Sequence, residues 1–167
     1  MATEAAAEYW LADSEATRAA GAILAAALQA RGAGAVPLRI ALHGDLGAGK
    51  TTLVGGLLGA LGHRGPVRSP TYTLVEPYQL AGLELHHCDL YRLASLDAVV
   101  ELGLHDLLVA DAILLVEWPE RAGAVLAPWD LTLELDYAGA GRRLRAVAGS
   151  AAGQPLVQAL AAGLQRR

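Results

Sequence analysis

The chain has 167 residues, 54% of them hydrophobic, and a net charge of −4 at neutral pH. That length suits one domain over residues 1–167, large enough to bury a core without disulfides or metal staples. One cysteine, Cys88, excludes an internal disulfide, no apolar run reaches the roughly 18 residues of a bilayer span, and the mild acidity excludes a surface given over to nucleic acid, DNA included.

The acidic N-terminus, MATEAAAEYW, lacks the basic region of a signal peptide. With the lone cysteine it predicts a cytoplasmic protein that makes no contact with a membrane. From Asp13 and Ser14, which are capping residues, an alanine-rich segment predicts a helix over 15–30. A loop over 31–37 precedes Leu38–Gly44, a short apolar run that predicts a buried strand. The segment 50–62 predicts a helix closed by Gly62, weakened by internal glycines. Two strands follow, over 71–80 and 83–91, joined by a turn at Ala81–Gly82. Residues 95–111 predict one helix or two short ones, and Ala112–Trp118 another buried strand. A loop with one helical turn covers 119–130. The alternating segments 131–137 and 142–148 predict a hairpin about Ala138–Gly141, and 154–167 a terminal helix. Strands interleaved with helices give an α/β fold: a three-layer sandwich with a mixed, mostly parallel central sheet and a C-terminal antiparallel hairpin.

The chain contains one lysine, Lys50, against twelve arginines, with no phenylalanine or asparagine, three isoleucines and one methionine. This is the composition of a GC-rich genome, in which arginine replaces lysine wherever charge alone matters. The retained Lys50 therefore marks a geometric requirement. Residues Gly44-Asp45-Leu46-Gly47-Ala48-Gly49-Lys50-Thr51 satisfy the phosphate-loop pattern G-x-x-x-x-G-K-[ST], between a predicted strand and a predicted helix. Glycines let the loop curl so that backbone N–H groups face phosphate oxygens, and the helix N-terminus adds more donors and partial positive charge. Lysine is a compact charge on a flexible stem that reaches the β- and γ-phosphates, where a forked guanidinium is bulkier. Thr51 offers its hydroxyl to Mg²⁺.

Such a loop needs a carboxylate at the end of a neighbouring strand. Glu117 ends one apolar strand and shares a face with Ile113 and Leu115. Asp89 ends another and shares a face with Leu83, Leu85 and His87, so that His87 and Asp89 converge on one site. The run His86-His87-Cys88-Asp89 is not a zinc site, because consecutive strand residues face opposite ways. Thr71, after the stiffening Pro70, is placed to sense a γ-phosphate. Trp118 follows the Glu117 carboxylate as a site residue or a core plug. Trp10 and Trp129 read as packing residues, and Tyr72, Tyr78 and Tyr91 as ordinary strand aromatics. Arg142, Arg143 and Arg145 read as the solvated face of an edge strand.

The segments GDLGAGKTTL, SPTYTLVEPY, DLYRL, ELGL and LLVEWPER, in this order, resemble the TsaE (YjeE) family over about 11–147. The resemblance implies an ATPase required for threonylcarbamoylation of the adenosine beside the anticodon in ANN-decoding tRNAs. It implies TsaB and TsaD as partners and contact with tRNA through that complex. Carried over, Gly47, Ala48, Gly49, Lys50, Thr51 and Thr52 contact the phosphates, and Thr51 and Glu117 hold Mg²⁺. Asp89 serves hydrolysis, Thr71 lies in a switch-like loop, Trp118 matters for function, and Ser14 or Thr17 touches the adenine.

Three other functions compete. A small-molecule kinase shares the loop and the length, but beyond Glu117 only Arg121 precedes Arg142, which argues against an arginine-bearing lid. A guanine-specific GTPase needs Asn-Lys-x-Asp, which a chain without asparagine cannot supply. A scaffold with a dead site has no need of Lys50, Thr51, Asp89 and Glu117 together.

Overall fold

The computed structural model describes residues 6–32, 35–108 and 111–164. Parts of the predicted 31–37 loop and 95–111 helical region, and the end of the C-terminal helix, lie outside the described residues. The elements run β1 (Ala6–Leu11), α1 (Ser14–Gln29), β2 (Leu38–His43), α2 (Lys50–Ala60), β3 (Val75–Leu80) and β4 (Leu83–Asp89), followed by α3 (Leu96–Glu101), β5 (Ile113–Glu117), β6 (Leu131–Ala138), β7 (Gly141–Ala148) and α4 (Gln154–Leu164). Single 3₁₀ turns occupy Leu104–Leu107 and Pro119–Ala122.

The strands form one sheet in the order β1-β7-β6-β2-β5-β4-β3. Strands β6, β2, β5 and β4 are parallel neighbours, while the pairings β1–β7, β7–β6 and β4–β3 are antiparallel. Five of the seven strands therefore run the same way, which is the mixed, mostly parallel sheet expected. The hairpin β6–β7 is the expected C-terminal one.

Helices α1, α2 and α4 cover one face, with Leu24, Leu53, Leu57 and Leu160 against Ile40, Leu115, Leu133 and Leu144. The other face is covered by α3 and the 3₁₀ turns, with Val99, Leu104 and Leu126 against Cys88, Leu114 and Val116. Strand β5 alternates between the two cores, buried on both sides, which is why it reads as an unbroken apolar run. One internal glycine of α2, Gly56, has a packing cause, matched by Gly21 on α1. A Cβ at Gly56 would strike the Arg18 carbonyl, and one at Gly21 would strike that of Leu53. Small residues here let α1 and α2 approach closely, and α1 is anchored by Asp13, whose carboxylate accepts from Ala16 N at 2.8 Å.

Three expectations need correction. Strand β1 was not predicted, because its alanines are weak strand formers and apolar Ala6 and Trp10 on its exposed side break the apolar–polar alternation. Its pairing makes β7 an interior strand, so the arginines there do not blunt an edge. Arg143 and Arg145 pair with Asp136 and Glu134 on β6, each at 3.0 Å. Finally, β3 starts at Val75 instead of residue 71. Thr71–Leu74 form a turn closed by Leu74 N donating to Pro70 O at 2.7 Å. Pro77 is tolerated because β3 is the opposite edge of the sheet.

Candidate functional site

The site lies at the C-terminal ends of the parallel strands β2, β5 and β4, where open α/β sheets place their ligands. The loop from Gly44 to Gly49 joins β2 to α2, with left-handed backbone at Gly47 (φ 77°) and Gly49 (φ 112°). Three of its carbonyls are held by side chains of the C-terminal hairpin. Arg142 Nε donates to Ala48 O at 3.0 Å and its Nη2 to Gly47 O at 3.3 Å, while the Tyr137 hydroxyl donates to Leu46 O at 2.9 Å. The Arg142 guanidinium lies 4.2 Å from the Tyr137 ring centre. The amides of Gly47, Gly49, Lys50 and Thr51 find no acceptor among the described residues. A curled loop with free amides at a helix N-terminus is an anion cradle.

Lys50 is the first residue of α2 and is 5% exposed. Its ammonium donates to the carbonyls of Gly44 and Asp45, the latter at 3.1 Å, and stands 4.2 Å from the Trp118 ring centre. Burial pushes its pKa below the usual lysine value. Glu117, Asp89, Glu120 and Asp45 pull it back only in part. An additional anion near this amine restores the balance.

The two predicted acids stand side by side, Asp89 opposite Glu117 in the β4–β5 register. Glu117 Oε1 accepts from Thr51 Oγ1 at 2.8 Å and from His87 Nε2 at 2.8 Å. His87 has no solvent exposure, and its Nδ1 has no partner among the described residues. Asp89 Oδ2 accepts from Ser69 Oγ and from Thr71 Oγ1, the latter at 3.4 Å, and its Oδ1 from Tyr91 N at 2.9 Å. Cys88 points into the opposite core, where burial pushes its thiol up to about 12, and His86 pairs with Glu84 at 2.9 Å. No group of three or more His, Cys, Asp or Glu suited to a metal occurs among the described residues.

Trp118 has a left-handed backbone (φ 58°), rare for so bulky a residue, and leads into the turn at Pro119. Its ring packs on Tyr91 with centres 4.8 Å apart. A cavity of about 380 Å³ is lined by the loop from Leu46, Lys50, Thr51, Thr71, Asp89, Glu117 and Trp118. A second, of about 310 Å³, shares Gly47–Gly49 and Thr52 with it and extends to Ser14, Thr17 and Arg142. The two chambers share one loop, and each falls within the size range of small-ligand pockets.

Of the predicted residues, Gly47, Ala48, Gly49, Lys50, Thr51, Thr52, Thr71, Asp89, Glu117 and Trp118 converge on the first chamber, and Ser14 lines the second. Gly44 and Asp45 enter only through carbonyls that bind Lys50. The sequence reading missed Arg142 and Tyr137 as braces of the loop, Ser69 on Asp89 and Tyr91 under Trp118. Arg142 had one available signal: it alternates with Arg143 and Arg145, so it faces the other way along β7.

The family described as "Threonylcarbamoyl adenosine biosynthesis protein TsaE" matches residues 11–145. The protein called tRNA threonylcarbamoyladenosine biosynthesis protein TsaE in Haemophilus influenzae is 42% identical over 122 residues, covering 73% of this chain and 77% of its own. Its namesake in Nostoc is 40% identical over 117 residues, 68% of each chain. A crystal structure of Bacillus subtilis YdiB superposes with a TM-score of 0.77 at 25% identity, covering 97% of this chain and 98% of that one. Matched through most of its length by sequence and fold, the chain belongs to the TsaE family, whose members take part in tRNA threonylcarbamoyladenosine biosynthesis.

Proposed function

We propose that this chain binds ATP with Mg²⁺ and hydrolyses it, slowly alone and faster with TsaB and TsaD, to serve threonylcarbamoylation of the adenosine beside the anticodon of ANN-decoding tRNAs. The observation that carries this reading is the cradle of free amides around Gly47–Thr51 with Lys50 buried at its centre. Lys50 exchanges the carbonyls of Gly44 and Asp45 for β- and γ-phosphate oxygens, which recovers the cost of burying its charge. Thr51 and Glu117 would hold the Mg²⁺, since a hydroxyl with one carboxylate is a donor set suited to a cation that keeps waters and phosphates as its other ligands. The chemistry Mg²⁺ would supply there is neutralisation of charge on the β- and γ-phosphates. His87 orients Glu117 from behind. Asp89, held by Ser69, Thr71 and the Tyr91 amide, orients the attacking water and takes its proton. Ser14 and Thr17, in the second chamber, lie where the base enters. No helix among the described residues is long and apolar enough to cross a membrane, and we place the protein in the cytoplasm with its tRNA substrate pathway.

Phosphate release from ATP, measured with the chain alone and with TsaB and TsaD added, tests this function. Partner-dependent stimulation is expected. Turnover indifferent to both partners would remove the reading, and phosphate passed to a small metabolite would replace it by that of a kinase.

A further inference from the structure

Arg92 lies three residues beyond Asp89, in the turn that follows β4, and lines the same cavity as Lys50, Thr51 and Asp89. It is exposed, and no carboxylate among the described residues stands within ion-pairing distance of it. Its guanidinium instead rests on Tyr72, with Cζ 4.6 Å from the ring centre and Nη2 3.4 Å from the hydroxyl. Tyr72 is 85% exposed and follows Thr71, in the turn whose Ser69 and Thr71 hold Asp89. An unpaired arginine is thus parked on an exposed ring at the mouth of the chamber.

The charge balance of the chamber gives this arginine a task. Its walls carry one buried cation, Lys50, against two buried carboxylates, Asp89 and Glu117. A triphosphate adds further negative charge, and that charge spreads over the terminal phosphoryl oxygens as hydrolysis proceeds. A guanidinium is always charged, weakly hydrated and forked, which suits it to that group. The exposed cation–π contact that now holds it is weak, about 0.5–1 kcal/mol, so release from Tyr72 costs little.

We propose that Arg92 is a catalytic residue that swings from Tyr72 onto the terminal phosphoryl group of bound ATP. The inference rests on reading the cavity as an ATP site. In the step it assists, a water oxygen bonds to the γ-phosphorus, the bond to the β,γ-bridging oxygen breaks, ADP leaves with that electron pair, and the proton of water passes to Asp89. Arg92 donates to the γ-oxygens throughout and is unchanged at the end.

The test is calorimetric titration of ATP and of ADP, each with Mg²⁺, into the full chain and its Arg92→Ala and Arg92→Lys variants, followed by single-turnover hydrolysis. Arg92→Ala is expected to leave ADP affinity within about twofold and to weaken ATP about tenfold or more, as loss of a charged hydrogen bond does. The hydrolysis step falls by about 10³-fold or more, the scale of an arginine acting in cis or trans on this reaction. Arg92→Lys recovers the ATP-over-ADP preference in part. Tyr72→Ala frees the arginine and raises the rate, whereas Tyr72→Phe keeps the ring and does not. Arg92→Ala binding both nucleotides and turning over ATP like the parent overturns the inference alone. A parent chain that binds neither nucleotide overturns the ATP site itself.

Discussion

Two glycines of α2 should respond to the same substitution with opposite sign. At Gly56 an added Cβ would overlap the Arg18 carbonyl oxygen, with Arg18 Cα at 2.6 Å and its carbonyl carbon at 2.7 Å. All three are backbone atoms of α1, so relief requires the helices to part. At Gly59 nothing lies within 4 Å of the added atom. Alanine is favoured over glycine in a helix interior by about 1 kcal/mol. At Gly59 that gain stands alone, and for a chain of this size it raises Tm by roughly 2–4 °C. At Gly56 it is set against overpacking, about 3 kcal/mol at the upper end because rigid backbone is struck. The net loss of about 2 kcal/mol lowers Tm by roughly 4–8 °C. Because α2 carries Lys50 and Thr51 at its first turn, Gly56→Ala should also disturb the site, whereas Gly59→Ala should not. Thermal unfolding followed by circular dichroism measures both. A Gly56→Ala chain that melts at or above the parent temperature would show that the close helix contact is not what fixes Gly56.

Lys50→Ala should weaken ATP binding about 10- to 100-fold, the scale of a lost charged hydrogen bond, and Lys50→Arg should not restore it, as calorimetry would show. Arg142→Ala frees the carbonyls of Gly47 and Ala48 to turn inward, so nucleotide affinity should fall about tenfold while Arg143→Ala, on the other face of β7, leaves it unchanged. The Cys88 thiol, raised to about 12 by burial, stays protonated in the folded chain while the unfolded chain loses its proton above about 9. The unfolded state then binds fewer protons, so stability falls as pH rises from about 9 towards 12, at up to about 1.4 kcal/mol per unit. Cys88→Ala should flatten that part of a Tm-against-pH curve, and the native thiol should resist alkylation at pH 8.

The sequence made the phosphate loop legible because its pattern is local: every atom of the cradle comes from consecutive residues. The acids were legible through strand alternation, since Glu117 and Asp89 share their faces with Leu115 and His87, and those faces meet α2. What stayed hidden depends on pairings between distant segments. Strand β1 has no strong strand signature of its own and exists by pairing with β7, 131 to 141 residues away along the chain. That pairing in turn decides that Arg142 braces the loop while Arg143 and Arg145 neutralise β6 carboxylates. Ser69 reaches Asp89 only because Pro70–Leu74 turn instead of extending. The His87–Glu117 bond joins two strands that are neighbours in the sheet and 30 residues apart in the chain.

The central claim is that the free amides around Gly47–Thr51 and the buried Lys50 hold a triphosphate. Titration of ATP into the full chain, with and without Mg²⁺, tests it most directly. One binding event that strengthens with Mg²⁺ and is lost in Lys50→Ala is the predicted result. No measurable binding at millimolar ATP with Mg²⁺ present, or binding that Lys50→Ala leaves intact, would contradict it.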